Sequence, residues 1–101
     1  MIKVLIKREE NKFVSLEVKG HANSAENGKD LVCAGVSAVI NGGLNNLQEL
    51  KKFDIKSSDG YAYVEAKEAI SSHDEVVIET IICGLKTIEE SYSQFITIKN
   101  F

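Results

Sequence analysis

Ile2-Lys3-Val4-Leu5-Ile6-Lys7-Arg8, then Lys12-Phe13-Val14-Ser15-Leu16-Glu17-Val18-Lys19, with Glu9-Glu10-Asn11 between them, decide the fold. Val4 and Ile6 project to one side of an extended chain, and Lys3, Leu5 and Lys7 to the other. In the second run Phe13 and Ser15 oppose Val14, Leu16 and Val18. Period-two alternation marks half-buried strands, and the polar break between the runs marks a hairpin. A second hairpin, 53–57 and 61–67, turns at Ser58-Asp59-Gly60. There Tyr61, Tyr63 and Glu65 alternate with Ala62, Val64 and Ala66.

Helical spacing fills the rest. A helix is predicted over 31–52, N-capped by Asp30, with the stripe Val32, Val36, Val39, Gly43, Leu47 and Leu50. Gly42-Gly43 inside it costs on the order of 1 kcal/mol per glycine relative to alanine. With Ala34 and Gly35 the pair leaves a face without bulk, suited to close packing against another helix, or else it breaks the helix near Gly42. A second helix is predicted over 73–92, with Ser72 as cap and Glu75 reaching back to it. Its two apolar stripes, Val77, Ile81, Gly84, Ile88 and Ile78, Ile82, Leu85, predict a mostly buried helix. Phe95, Ile96 and Ile98 predict a short final strand. The expectation is one α+β domain over 1–101 of ββαββα order plus that strand, with two helices packed on an antiparallel sheet.

The 101 residues hold one core, and 44 % apolar with 27 % charged residues is ordinary for a globular domain. The N-terminus alternates apolar and basic residues and lacks the apolar h-region of a signal peptide. No apolar run approaches the roughly 20 residues that span a bilayer. A cytoplasmic location away from membranes is expected, with Cys33 and Cys83 as free thiols. There is no CxxC and no zinc-spaced Cys/His cluster. A net charge of −3 and a pI near 5.4 disfavour direct nucleic-acid binding and suit a basic partner.

The chemistry gathers around the aperiodic stretch 20–29. Cys33 lies three residues after the Asp30 cap, in the first turn of a helix. Backbone N–H groups there have no intrahelical partner, and the helix end carries partial positive charge. Such a place activates a thiolate and offers amides to an oxyanion. His21 enters the same loop twelve residues earlier, within reach of the sulfur if the loop folds back. Gly20 and Gly28 flank the loop as hinges. Asp30 reads as the cap, with orientation of His21 as the other role. Ser37, one turn below Cys33, is placed to bond the sulfur or the Cys33 carbonyl. Cys83 is expected buried in the second helix and His73 exposed at its start, and neither is assigned to the site.

Gly20-His21-Ala22, Gly28 and Asp30-Leu31-Val32-Cys33-Ala34-Gly35-Val36-Ser37 resemble the signature of the ribosomal-processing cysteine protease Prp family. Leu85-Lys86-Thr87-Ile88-Glu89-Glu90-Ser91-Tyr92 resembles that family's last helix. The resemblance covers nearly the whole chain. It implies a cysteine endopeptidase with Cys33 and His21 as its dyad and no metal or organic cofactor. The implied substrate is the N-terminal extension of a bacterial large-subunit ribosomal protein, and the implied state is a homodimer. Two rivals stand beside it. One is a non-catalytic ribosome-associated binding module, which needs no paired Cys33 and His21. The other is a redox-sensing thiol protein, which needs Cys33 and Cys83 at disulfide distance.

Overall fold

The computed structural model of the protein describes residues 1–23, 25 and 30–101. Five strands form one sheet: β1 (Ile2–Glu9), β2 (Lys12–Lys19), β3 (Phe53–Ser58), β4 (Tyr61–Ala66) and β5 (Ile96–Asn100). Helices α1 (Leu31–Leu44) and α2 (Ser72–Ser91) pack on one face of it, so the ββαββα order with a final strand holds. The strand order is β3-β4-β2-β1-β5, with every pairing antiparallel except the edge pair β1–β5, which is parallel.

The first hairpin turns through Glu10 and Asn11, both at positive φ (52° and 66°), which matches a tight turn of the hand that right-twisted strands favour. One detail departs from strict alternation. The register shifts between Lys7 and Arg8, which face Ser15 and Phe13 and leave Val14 as an extra residue. This bulge turns Phe13 to the same buried side as Leu16 and Val18, so Phe13 joins the core rather than opposing Leu16.

α1 is shorter than its spacing predicts. It ends at Leu44, and a separate 3-10 turn forms at Leu50–Lys52. Leu47 is buried, but Leu50 is 57 % exposed. The helix stops for two physical reasons. Gly42-Gly43 weakens its last turn, and the buried Asp74 carboxylate captures the next amides, Gln48 N–H at 2.9 Å and Glu49 N–H at 3.0 Å. The cap of α2 also moves by one residue: Ser71, not Ser72, accepts from Asp74 N–H (3.1 Å), and Glu75 N–H bonds the Ser71 carbonyl. Glu75 is therefore not the returning partner of a capping box.

The small-residue face of α1 does meet α2. A side chain on Gly43 would overlap Ile81, and one on Gly84 would come within 2.8 Å of Val39 Cγ1. Bare glycines let the two backbones approach and let Val39 and Ile81 fill the space. Both helices consequently lie close over Val4, Ile6, Leu16 and Val64, all nearly inaccessible to solvent.

Candidate active site

The site lies at the end of the sheet where β1 begins, β2 ends and the β3–β4 turn closes. Gly20 N–H donates to the Gly60 carbonyl at 2.9 Å, extending the β2–β4 ladder by one step. Gly20 has φ +105°, and a side chain there would strike the Met1 carbonyl. The Met1 nitrogen donates to the His21 carbonyl at 2.7 Å. The backbone at Gly20 and His21 is thus held from two sides, by Gly60 of the β3–β4 turn and by Met1 just ahead of β1. The positive φ expected of Gly20 is present, but its N–H is anchored, which opposes a hinge at that point. Gly28 lies outside the described residues, as do residues 24, 26, 27 and 29.

From His21 the chain turns toward α1. Ala22 is buried, and its N–H points at Cys33 Sγ at 3.3 Å. Asp30 caps α1: its Oδ1 accepts from Val32 N–H (3.0 Å) and Cys33 N–H (3.1 Å), and its carbonyl accepts from Ala34 N–H. The amides of Val32 and Cys33 are therefore engaged by the cap. They do not stand open for an oxyanion, contrary to the expectation from helix-end geometry. Among the described residues, the amide that faces the sulfur is that of Ala22.

Cys33 is half-buried and His21 exposed. They line two adjoining hollows. The smaller, about 150 Å³, lies between α1 and the sheet end, with Val36 and Ile40 on one side and Gly60 and Tyr61 on the other. The larger, about 540 Å³, opens on the loop side past Asp30 and Ala34. His21, Cys33, Ser37 and Asp59 border both. Ser37 is thus at the site, yet its exposed hydroxyl bonds neither the sulfur nor the Cys33 carbonyl among the described residues. Tyr61 donates to Glu17 at 3.0 Å, and that bond with partial burial pushes its phenol pKa up, so it stays protonated.

The turn residues Asp59 and Gly60 and the Ala22 N–H did not emerge from the sequence as parts of the site. Asp-Gly reads locally as a turn and nothing more. Its meeting with His21 depends on the β2–β4 register. His73 is half-buried, with Nδ1 2.9 Å from Asp74 Oδ1, far along the chain from the site. Cys83 is exposed, not buried. The buried positions of α2 are 74, 77, 78, 81, 82 and 85, which puts 83 on the opposite face with Val76 and Thr80. Both cysteines are free thiols.

The sequence model of the family described as Cysteine protease Prp matches residues 1–97. The chain belongs to the cysteine protease Prp family. The ribosomal processing cysteine protease Prp of Bacillus subtilis (strain 168) is 42 % identical over 101 aligned residues, covering 91 % of this chain and 90 % of the relative. The protein of the same name from Staphylococcus aureus (strain Mu50) is 33 % identical over 94 residues. A crystal structure of an essential ribosomal processing protease Prp from S. aureus, in complex with a covalently linked product peptide, superposes with a TM-score of 0.89 at 30 % identity over the full length of both chains. Another, with a substrate peptide, superposes at 0.77 and 26 % identity, also over both full chains. The Prp match makes this chain a cysteine protease of the ribosomal-processing type and decides against the binding-module reading. No helix among the described residues is long and apolar enough to cross a membrane.

Proposed function

We propose that Cys33 is the nucleophile and His21 the general base and acid of an endopeptidase that removes the N-terminal extension of a bacterial large-subunit ribosomal protein. The observation that carries this reading is that Cys33 and His21 border one pair of hollows at the sheet end, with the Ala22 N–H turned to the Cys33 sulfur. In the reaction His21 takes the thiol proton and the Cys33 sulfur attacks the scissile carbonyl carbon. The carbonyl oxygen becomes an oxyanion, and the Ala22 N–H, 3.3 Å from the Cys33 sulfur, is the donor assigned to it in this reading. The C–N bond then breaks, and His21 delivers its proton to the leaving amine. Water, deprotonated by His21, attacks the resulting thioester, and the acid product leaves as the C–S bond breaks. The covalently linked product peptide of the S. aureus relative fits chemistry that passes through an enzyme–peptide bond. Asp30 organises the start of α1 and thereby the position of Cys33. No step calls for a metal or cofactor.

The net charge of −3 supports a basic ribosomal substrate over direct contact with nucleic acid. A cytoplasmic homodimer is the state that goes with the family resemblance. The test is incubation with the extended ribosomal protein of the same genome, read by intact mass. A single shortened product is expected from the unaltered chain, none from Cys33→Ala, and strongly slowed cleavage from His21→Ala. Full activity of Cys33→Ala would overturn the assignment.

A further inference from the structure

The geometry points to Gly60 as a positioning residue for His21: the β3–β4 turn is a backstop against which the Nε2 edge of the imidazole packs. The inference rests on the proposed role of His21. An exposed histidine at a strand end samples several rotamers unless something packs against its ring. Here that something is the bare α-carbon of Gly60. An L-side-chain Cβ built at Gly60 would lie 2.6 Å from His21 Nε2, 3.0 Å from Cε1 and 3.3 Å from Cδ2. The Nε2 edge of the ring therefore lies in the space that any other residue would fill.

Turn geometry alone does not demand glycine. Gly60 has φ +69°, the left-handed region, which asparagine also adopts readily. The imidazole makes the stricter demand, because asparagine has a Cβ and glycine has none. The same residue fixes the histidine a second way: its carbonyl accepts Gly20 N–H at 2.9 Å, one residue before His21. Gly60 thus holds both the backbone leading into His21 and the far edge of the ring. Together with the Met1 bond to the His21 carbonyl, this fixes the backbone of His21 and closes one direction to its side chain. His21 moves a proton in both halves of the reaction, so a displaced ring slows turnover without removing the contacts that bind peptide.

Gly60→Asn in the full chain tests this. The left-handed turn is kept while a Cβ is pushed against Nε2. A displacement near 1 Å costs on the order of 10²-fold, and the loss should appear in kcat with KM nearly unchanged. A folded Gly60→Asn variant with wild-type kcat overturns the inference, and so does a loss confined to KM. If the variant does not fold, the unaltered protein decides. A nuclear Overhauser contact between the Gly60 α-protons and the His21 Cε1 proton is expected, and its absence overturns the inference. His21→Ala separates the two claims. Retained activity there removes the role of His21 itself, whereas an inactive His21→Ala beside a fully active Gly60→Asn removes only the role of Gly60.

Discussion

Asp74→Ala should destabilise the fold by about 2–3 kcal/mol at neutral pH. The carboxylate is 0 % exposed and accepts Gln48 N–H (2.9 Å) and Glu49 N–H (3.0 Å), with His73 Nδ1 at 2.9 Å. Leaving two amides without an acceptor costs roughly 1–3 kcal/mol each. Gln48 is exposed and Glu49 half-buried, so water can partly replace the carboxylate, which puts the sum toward the lower end. For a domain of this size about 1 kcal/mol moves the melting temperature by roughly 4–8 °C, so the shift should be large. Burial alone would raise the Asp74 pKa, but the Gln48, His73 and Glu49 bonds outweigh it and hold the pKa below the usual carboxylate range. A depressed folded-state pKa fixes the sign. The contribution is fully present above the unfolded value, about 3.9, and disappears as pH falls through the lower folded value. Urea unfolding followed by circular dichroism, in steps from pH 7 to pH 3, reads both effects. The unaltered and Asp74→Ala curves should be furthest apart at neutral pH and converge in acid. A neutral gap below about 0.5 kcal/mol, the range of featureless surface changes, would refute the account, as would a gap that does not narrow in acid.

The two neighbouring glycines of α1 should respond with opposite signs. Gly43→Ala drives a methyl into Ile81 and should cost about 1–3 kcal/mol, whereas a Cβ at Gly42 meets nothing within 4 Å, so Gly42→Ala should stabilise by roughly 0.5–1 kcal/mol in thermal melts. Equal effects would show that the helix contact is not as tight as it stands. The exposed Cys83 should take a bulky maleimide without loss of protease activity, while modification of Cys33 abolishes it. Peptide mass spectrometry with a parallel activity assay checks this, and inactivation tracking Cys83 alone would contradict the site.

What could be read ahead of the structure was whatever the chain states locally. Two hairpins, two helices, the Asp30 cap and the placement of Cys33 just after it all follow from spacings of a few residues. What escaped depends on residues far apart in sequence. Gly60 meets His21 across 39 positions, and only the β2–β4 register brings them together. The end of α1 at Leu44 depends in the same way on Asp74, thirty residues later. Two features of α2 were nevertheless open to periodicity. Carrying the Val77, Ile78, Ile81, Ile82, Leu85 stripe one turn back reaches Asp74, so a buried carboxylate in need of donors was implied there. The same wheel puts Cys83 outside. The first-turn amides teach a different lesson. A helix end offers free N–H groups only where no capping side chain takes them, and the aspartate that makes the helix start legible is the group that occupies them. A strong cap and an oxyanion site at the same two amides are therefore alternatives. A nucleophile placed behind such a cap draws its oxyanion donor from elsewhere, and the donor proposed for Cys33 is the loop amide of Ala22, which lies 3.3 Å from its sulfur.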